Sequence, residues 1–124
     1  MKRFTVILLA TMLVFRAIAE EGSAADDIQH NIAWVEANFA DDLASPPPFS
    51  FVYGGQPSAV FLPTWTRTVE DVSSDGTRHR RALVFRDPLS GFEVRAVCQI
   101  FTDSPGVDWT LYFTNRGSAD SAVL

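Results

Sequence analysis

The sequence has little reactive chemistry in it. There is one cysteine, Cys98, and there are two histidines, His30 and His79. A lone cysteine cannot close an internal disulfide, and it excludes paired-thiol redox and Cys-x-x-Cys metal motifs. The histidines fall on separate predicted elements with no acidic or cysteine neighbours at ligand spacing, so no metal site is expected. Gly-x-Ser-x-Gly, His-Glu-x-x-His and Asn-x-Ser/Thr patterns are all absent. Gly54-Gly55-Gln56-Pro57-Ser58 is Gly-rich but lacks the lysine and spacing of a phosphate-cradling loop, and it reads as a turn. Positive charge is scarce as well. The formal charge is −5, and losing Lys2, Arg3 and Arg16 with an N-terminal leader takes it to about −8. Such a surface repels phosphate backbones, so nucleic acid is not an expected partner.

Against these absences, 47% of the residues are hydrophobic and ten are phenylalanine, enough for a packed core in one domain. Residues 1–19 have the layout of a secretory signal peptide. Lys2-Arg3 form the positive region, residues 4–15 the apolar region, and Ala17-Ile18-Ala19 the small-x-small cleavage site. Glu20 is then the mature N-terminus, and a secreted or periplasmic product follows. The alternative is an uncleaved anchor, but the apolar region falls short of the roughly 20 residues that span a bilayer. No later segment approaches that length.

Residues 20–48 form an N-terminal helix and a Pro-rich linker. After a polar stretch over 21–27, read as mobile, Ile28, Ile32, Val35 and Phe39 recur on one helical face with Trp34 beside it. Asp27 is the expected N-cap, and the helix should fade near Asp41-Asp42. Ala44-Ser45-Pro46-Pro47-Pro48 is extended, because proline fixes φ and restricts its predecessor.

Residues 49–124 read as a mainly β domain, an incomplete antiparallel sandwich. Phe49, Phe51 and Tyr53 alternate with Ser50 and Val52, giving one large aromatic face. Residues 62–72 are a second strand, with Trp65, Arg67, Val69 and Asp71 on one side, and Ser73-Ser74-Asp75-Gly76 turns the chain. Residues 77–86 hold most of the remaining positive charge. Charge pairs with Glu70 and Asp71 across the hairpin account for it more simply than a basic binding patch. Asp87-Pro88-Leu89-Ser90-Gly91 and Asp103-Ser104-Pro105-Gly106 separate strands over 92–101 and 107–115. In the first, Phe92, Val94, Ala96, Cys98 and Ile100 share the inner face, so Cys98 reads as a core residue rather than a nucleophile. In the second, Val107, Trp109, Leu111 and Phe113 face inward. Ser121-Ala122-Val123-Leu124 reads as the start of another strand, which suggests a longer parent protein.

No catalytic residue is expected in this chain, and no cofactor. Asp103, Asp108 and Asp120 are carboxylates at turns or on an outer strand face, where structural roles are usual. The aromatics carry more. Trp34, Trp65 and Trp109 are each able to stack on the apolar face of a sugar ring, and Trp65, beside the Leu62-Pro63-Thr64 turn, is the expected contact residue. Burial is the competing role for any tryptophan.

Several segments together resemble the N-terminal β domain of glycoside hydrolase family 36-like enzymes, the α-galactosidase type. They are Pro47-Pro48-Phe49-Ser50-Phe51-Val52-Tyr53-Gly54-Gly55, Leu62-Pro63-Thr64-Trp65 and Asp87-Pro88-Leu89-Ser90-Gly91-Phe92-Glu93-Val94-Arg95, followed by Pro105-Gly106-Val107-Asp108-Trp109-Thr110-Leu111-Tyr112-Phe113-Thr114-Asn115 and Gly117-Ser118-Ala119-Asp120. A helix ending in Asn38-Phe39 precedes them, as in that family. The chain departs from the pattern at Ser104-Pro105-Gly106, where a more aromatic turn is expected, and at Ser121-Ala122, where Thr-Pro is expected. The resemblance implies a β-supersandwich followed by a (β/α)8 barrel, with two barrel aspartates hydrolysing α-galactosides with retention. Retention needs such a pair roughly 5 Å apart. Both would lie downstream, leaving this chain a non-catalytic partner of the barrel and of its carbohydrate substrate. A stand-alone secreted carbohydrate-binding sandwich is the alternative.

Overall fold

The computed structural model describes residues 24–42 and 45–124. The leader read over 1–19, its cleavage site and Glu20 lie outside the described residues, as does Ala44 of the linker.

Helix α1 covers residues 24–38. Two expectations change here: of the stretch over 21–27 read as mobile, residues 24–27 are helical while 21–23 lie outside the described residues, and Asp27 lies inside the helix instead of capping it. Ala24 and Ala25 lose little conformational freedom in a helix, and that preference outweighs the polar composition of the stretch. The apolar stripe is as expected. Val35 and Phe39 are fully buried, with Ile28 and Ile32 half-buried beside them. The helix gives way to bends at 39–41, although Phe39 N still donates to Val35 O at 2.8 Å.

The principal sheet is an antiparallel meander of β3 (Thr66–Ser74), β4 (Arg78–Arg86), β5 (Phe92–Phe101) and β6 (Val107–Asn115), in that order. Its register sets Phe85, Val94 and Phe113 in one inward row and Leu83, Ala96 and Leu111 in the next. Arg67 pairs with Phe85 and so belongs to the inward face. A register shift between Asp71 and Ser73 leaves Val72 as a bulge.

The inward face is covered by α1 and by a compact aromatic segment. In that segment β1 (Val52–Tyr53) pairs with β2 (Gln56–Pro57), then comes a one-turn helix α2 (Ser58–Phe61) and a 3-10 turn (Leu62–Thr64). Strand structure is thus shorter than the alternation at 49–53 and 62–72 predicts. The β1–β2 connection needs Gly54 and Gly55, both at positive φ (59° and 78°), which lets so short a hairpin close. Pro63 has no N–H to give a sheet, which holds Leu62–Thr64 out of β3.

The predicted aromatic face does the packing. Tyr53 stacks on Phe92 with centroids 4.3 Å apart, Phe51 meets Phe113 edge-on at 5.2 Å, and Phe49 meets Phe85 at 6.2 Å. Each such pair adds about 0.5–1.5 kcal/mol beyond the area it buries. The chain is therefore mainly β, with two antiparallel sheets and short helices. Residues 121–124 form no strand, but Gly54 N donates to Val123 O at 2.9 Å and Ala122 N to the Tyr53 hydroxyl at 3.2 Å.

Candidate functional site

The structure reverses the expected order of the tryptophans. Trp65 follows the 3-10 turn and is only 6% exposed. Phe61 lies 4.8 Å from it, with Tyr53 and Phe92 edge-on at 6.1 and 6.3 Å. Its faces are occupied by protein, which leaves no platform for a sugar. The exposed pair is Trp34 on α1 and Trp109 on β6, each 39% accessible. Their rings stack at 5.7 Å and 29°, and Phe39 abuts Trp109 at 6.1 Å. Trp109 does lie on the inward face, opposite Cys98, but α1 crosses there without sealing it. The strand alternation placed Trp109 on the right face; how far the helix would cover it depended on a docking angle that no local pattern specifies.

Cys98 is fully buried and unpaired. Burial is the main influence pushing its thiol up to about 11, with Asp108 adding to it and Arg81 opposing. A thiol held protonated at neutral pH is no nucleophile. His30 and His79 are exposed on α1 and β4, and among the described residues no group of three His, Cys, Asp or Glu side chains could hold a metal. Asp108 accepts from Gln99 Nε2 at 3.1 Å, while Asp103 and Asp120 sit in exposed loops.

Charged groups on both faces of the sheet are tied to one another, Arg81 and Asp71 on the helix side and Glu70 and Arg95 on the outer side. Arg81 meets its cross-strand partner Asp71 at 3.5 Å, as the sequence pattern predicts. Glu70 instead reaches past β4 to Arg95 on β5 at 2.6 Å. The most enclosed ionic group is one that the sequence pattern left unmarked. Glu93 is 3% exposed, and its Oε2 accepts from Arg86 Nε at 3.2 Å and from Arg116 Nε at 2.9 Å. Burial alone would raise its pKa, but the two guanidinium groups outweigh that and hold it below the ordinary glutamate value. A carboxylate fixed in its ionised form is a staple between β4, β5 and the segment after β6, and cannot act as a general acid.

Arg67 is the second residue missed. It is 8% exposed, on the inward face of an edge strand. Its Nε donates to Ala40 O at 2.9 Å and its Nη1 to Ser45 O at 2.6 Å, and the guanidinium lies 5.3 Å from the Phe85 ring centre. Nothing in the Thr-Arg-Thr-Val alternation separates a clamped arginine from a solvated one. The signal was its inward parity with Trp65 and Val69.

Two hollows on the inward side of the sheet differ in character. One of about 470 Å³ lies between α1 and the β3–β4 hairpin, lined by Ile32, Glu36, Asp71, His79, Arg81 and Ile100. Another of about 290 Å³ lies beside Arg67, between the proline segment and α2. No described helix is long and apolar enough to cross a membrane. No family model, no curated protein and no solved structure matches this chain.

Proposed function

We propose that this chain is a non-catalytic β domain of an exported, α-galactosidase-like glycoside hydrolase, supporting a downstream barrel that carries the catalytic aspartates. One observation supports the reading above others. Two of the segments behind the resemblance, Asp87-Pro88-Leu89-Ser90-Gly91 and Gly117-Ser118-Ala119-Asp120, are distant in sequence yet interlock at one end of the meander. Arg116 N donates to Gly91 O at 3.2 Å, and Gly117 packs directly on the Ser90 carbonyl. Segments that meet in this way form one structural unit, as pieces of a shared domain should. The test is to read the gene beyond Leu124 and assay the full product on a chromogenic α-galactoside. A stop codon there, or a continuation without barrel-like βα repeats, overturns the proposal.

The exposed Trp34–Trp109 stack favours a second reading, a carbohydrate-binding module that acts alone. Aromatic faces at a surface complement the apolar C–H faces of pyranoses. Titration of the 124-residue chain with galactosides, followed by tryptophan fluorescence, tests it. A saturable change that Trp109→Ala abolishes supports binding, and an unchanged spectrum rejects it.

A further inference from the structure

We propose that the free edge of β6 is a self-association site, pairing antiparallel with β6 of a second copy of this chain about a two-fold axis at Leu111. The site is built from backbone groups and does not depend on the glycosidase reading.

The principal sheet has two edge strands, β3 and β6, and they are protected unequally. β3 carries the bulge at Val72 and the inward-pointing Arg67, two features that discourage a further strand. β6 has neither. Its nine residues pair with β5 without a register shift, contain no proline, lysine or arginine, and carry one charge, on Asp108. The segment that follows β6 does not return to cover it, because Ala122 and Val123 bond to Tyr53 and Gly54 of the aromatic segment.

Bonds at the two ends of the β5–β6 ladder identify the backbone groups left unused. Phe101 N donates to Gly106 O at 3.3 Å and Arg116 N to Gly91 O at 3.2 Å, both continuing the register of the ladder. Bonded positions alternate along an antiparallel pair, so Asp108, Thr110, Tyr112 and Thr114 are the residues that bond to β5. The N–H and C=O groups of Trp109, Leu111 and Phe113 therefore point away from the sheet. Among the described residues no hydrogen bond reaches them.

The sequence of β6 suits a copy of itself. An axis at Leu111 sets Leu111 against its own counterpart and Trp109 against Phe113 of the partner subunit. The inward apolar row then continues across the join, where Trp109 is 39% exposed and Leu111 and Phe113 are half-buried. On the outer face Tyr112 meets a threonine, Thr110 of the partner subunit, and Asp108 meets Thr114 of the partner subunit. No like charges are opposed, although each chain is acidic overall.

Sedimentation of the full chain over a concentration series should show a mass that doubles reversibly. Hydrogen exchange on the same samples reads the register. The amides of Trp109, Leu111 and Phe113 should slow as the dimer forms, while those of Thr110 and Tyr112 stay slow throughout. Thr110→Lys combined with Tyr112→Lys opposes like charges across the axis and should weaken the dimer about tenfold, as should Thr110→Glu combined with Tyr112→Glu. Mixing the two variants should restore it. Both positions are exposed, and should either variant fail to fold, the exchange pattern of the unaltered chain decides. A monomer at every concentration overturns the proposal and leaves the edge to a strand of another protein. A dimer whose Leu111 amide still exchanges freely, or one that both charge variants leave intact, overturns it by placing the contact on another face.

Discussion

Gly117 lies against Ser90 so closely that a Cβ at position 117 would come within 1.9 Å of the Ser90 carbonyl oxygen. The contact joins the β4–β5 turn to the segment that leaves β6, and it is backbone on backbone, so no side chain can yield. Around it the turn is closely specified. Asp87 Oδ1 accepts from Leu89 N at 3.0 Å, Asp87 Oδ2 from the Ser90 hydroxyl at 2.6 Å, and Gly91 sits at a φ of 74°.

Gly117→Ala should therefore destabilise the fold by roughly 1–3 kcal/mol, the range for overpacking a site that cannot relax. Urea denaturation compares the midpoints. Gly76→Ala is the control, because a Cβ at 76 meets nothing within 4 Å, and it should move the midpoint far less. Equal effects at the two positions would contradict the contact.

Acid should unfold the protein partly through Glu93. Burial raises its pKa, but the bonds from Arg86 and Arg116 lower it more, so the folded value lies below the unfolded one. Such a group binds protons more readily in the unfolded chain. Its stabilisation is complete above the unfolded glutamate pKa of about 4.3 and is lost as pH falls through the lower folded value. Asp87, where burial opposes but the Ser90 and Leu89 bonds prevail, shifts in the same direction, as does Asp75 through its bonds from Thr77. Glu93→Gln should flatten the acid limb of the stability–pH curve and lower the plateau at neutral pH. A limb of unchanged steepness refutes the assignment.

Cys98 should resist thiol reagents. It is fully buried and its thiol pKa is pushed up to about 11, first by burial and then by Asp108. At pH 8 a disulfide reagent should leave the native chain unmodified and titrate one thiol after denaturation. Rapid reaction of the folded protein would place the sulfur at the surface.

The tryptophans should separate by quenching. In variants retaining one tryptophan, iodide should quench Trp34 and Trp109 emission and spare Trp65, which is 6% exposed. Trp65→Ala should cost roughly 3–5 kcal/mol, as for a large core aromatic. Trp109→Ala should cost less, because part of that ring already faces water. The opposite order of costs would restore Trp65 as a surface contact.

Strand order and inward parity were legible in the sequence because a meander is local. Each hairpin carries its own turn residues, Asp75-Gly76 and Asp87-Pro88 among them, and a period of two assigns faces without knowledge of the rest. Reading failed where the outcome depended on chain brought from elsewhere. Trp65 looked accessible because Leu62-Pro63-Thr64 resembles a surface turn, but Tyr53, Phe61 and Phe92 arrive from three other segments to enclose it. Arg67 and Glu93 were inconspicuous for the same reason. The partners of Arg67 are two backbone carbonyls far upstream, and one partner of Glu93 lies beyond β6.

The sheet's connectivity also bears on how the chain folds. Each strand of the meander pairs with its immediate successor, so three hairpins can form in turn with small loop-closure cost, which favours rapid folding. The helix has no such advantage. Its approach to the sheet closes a long loop, fastened where Arg67 grips Ala40 and Ser45 and where Trp34 meets Trp109. Until α1 and the aromatic segment dock, the meander would stand with its inward side bare, and the two together act as the cover that keeps that side from meeting another chain.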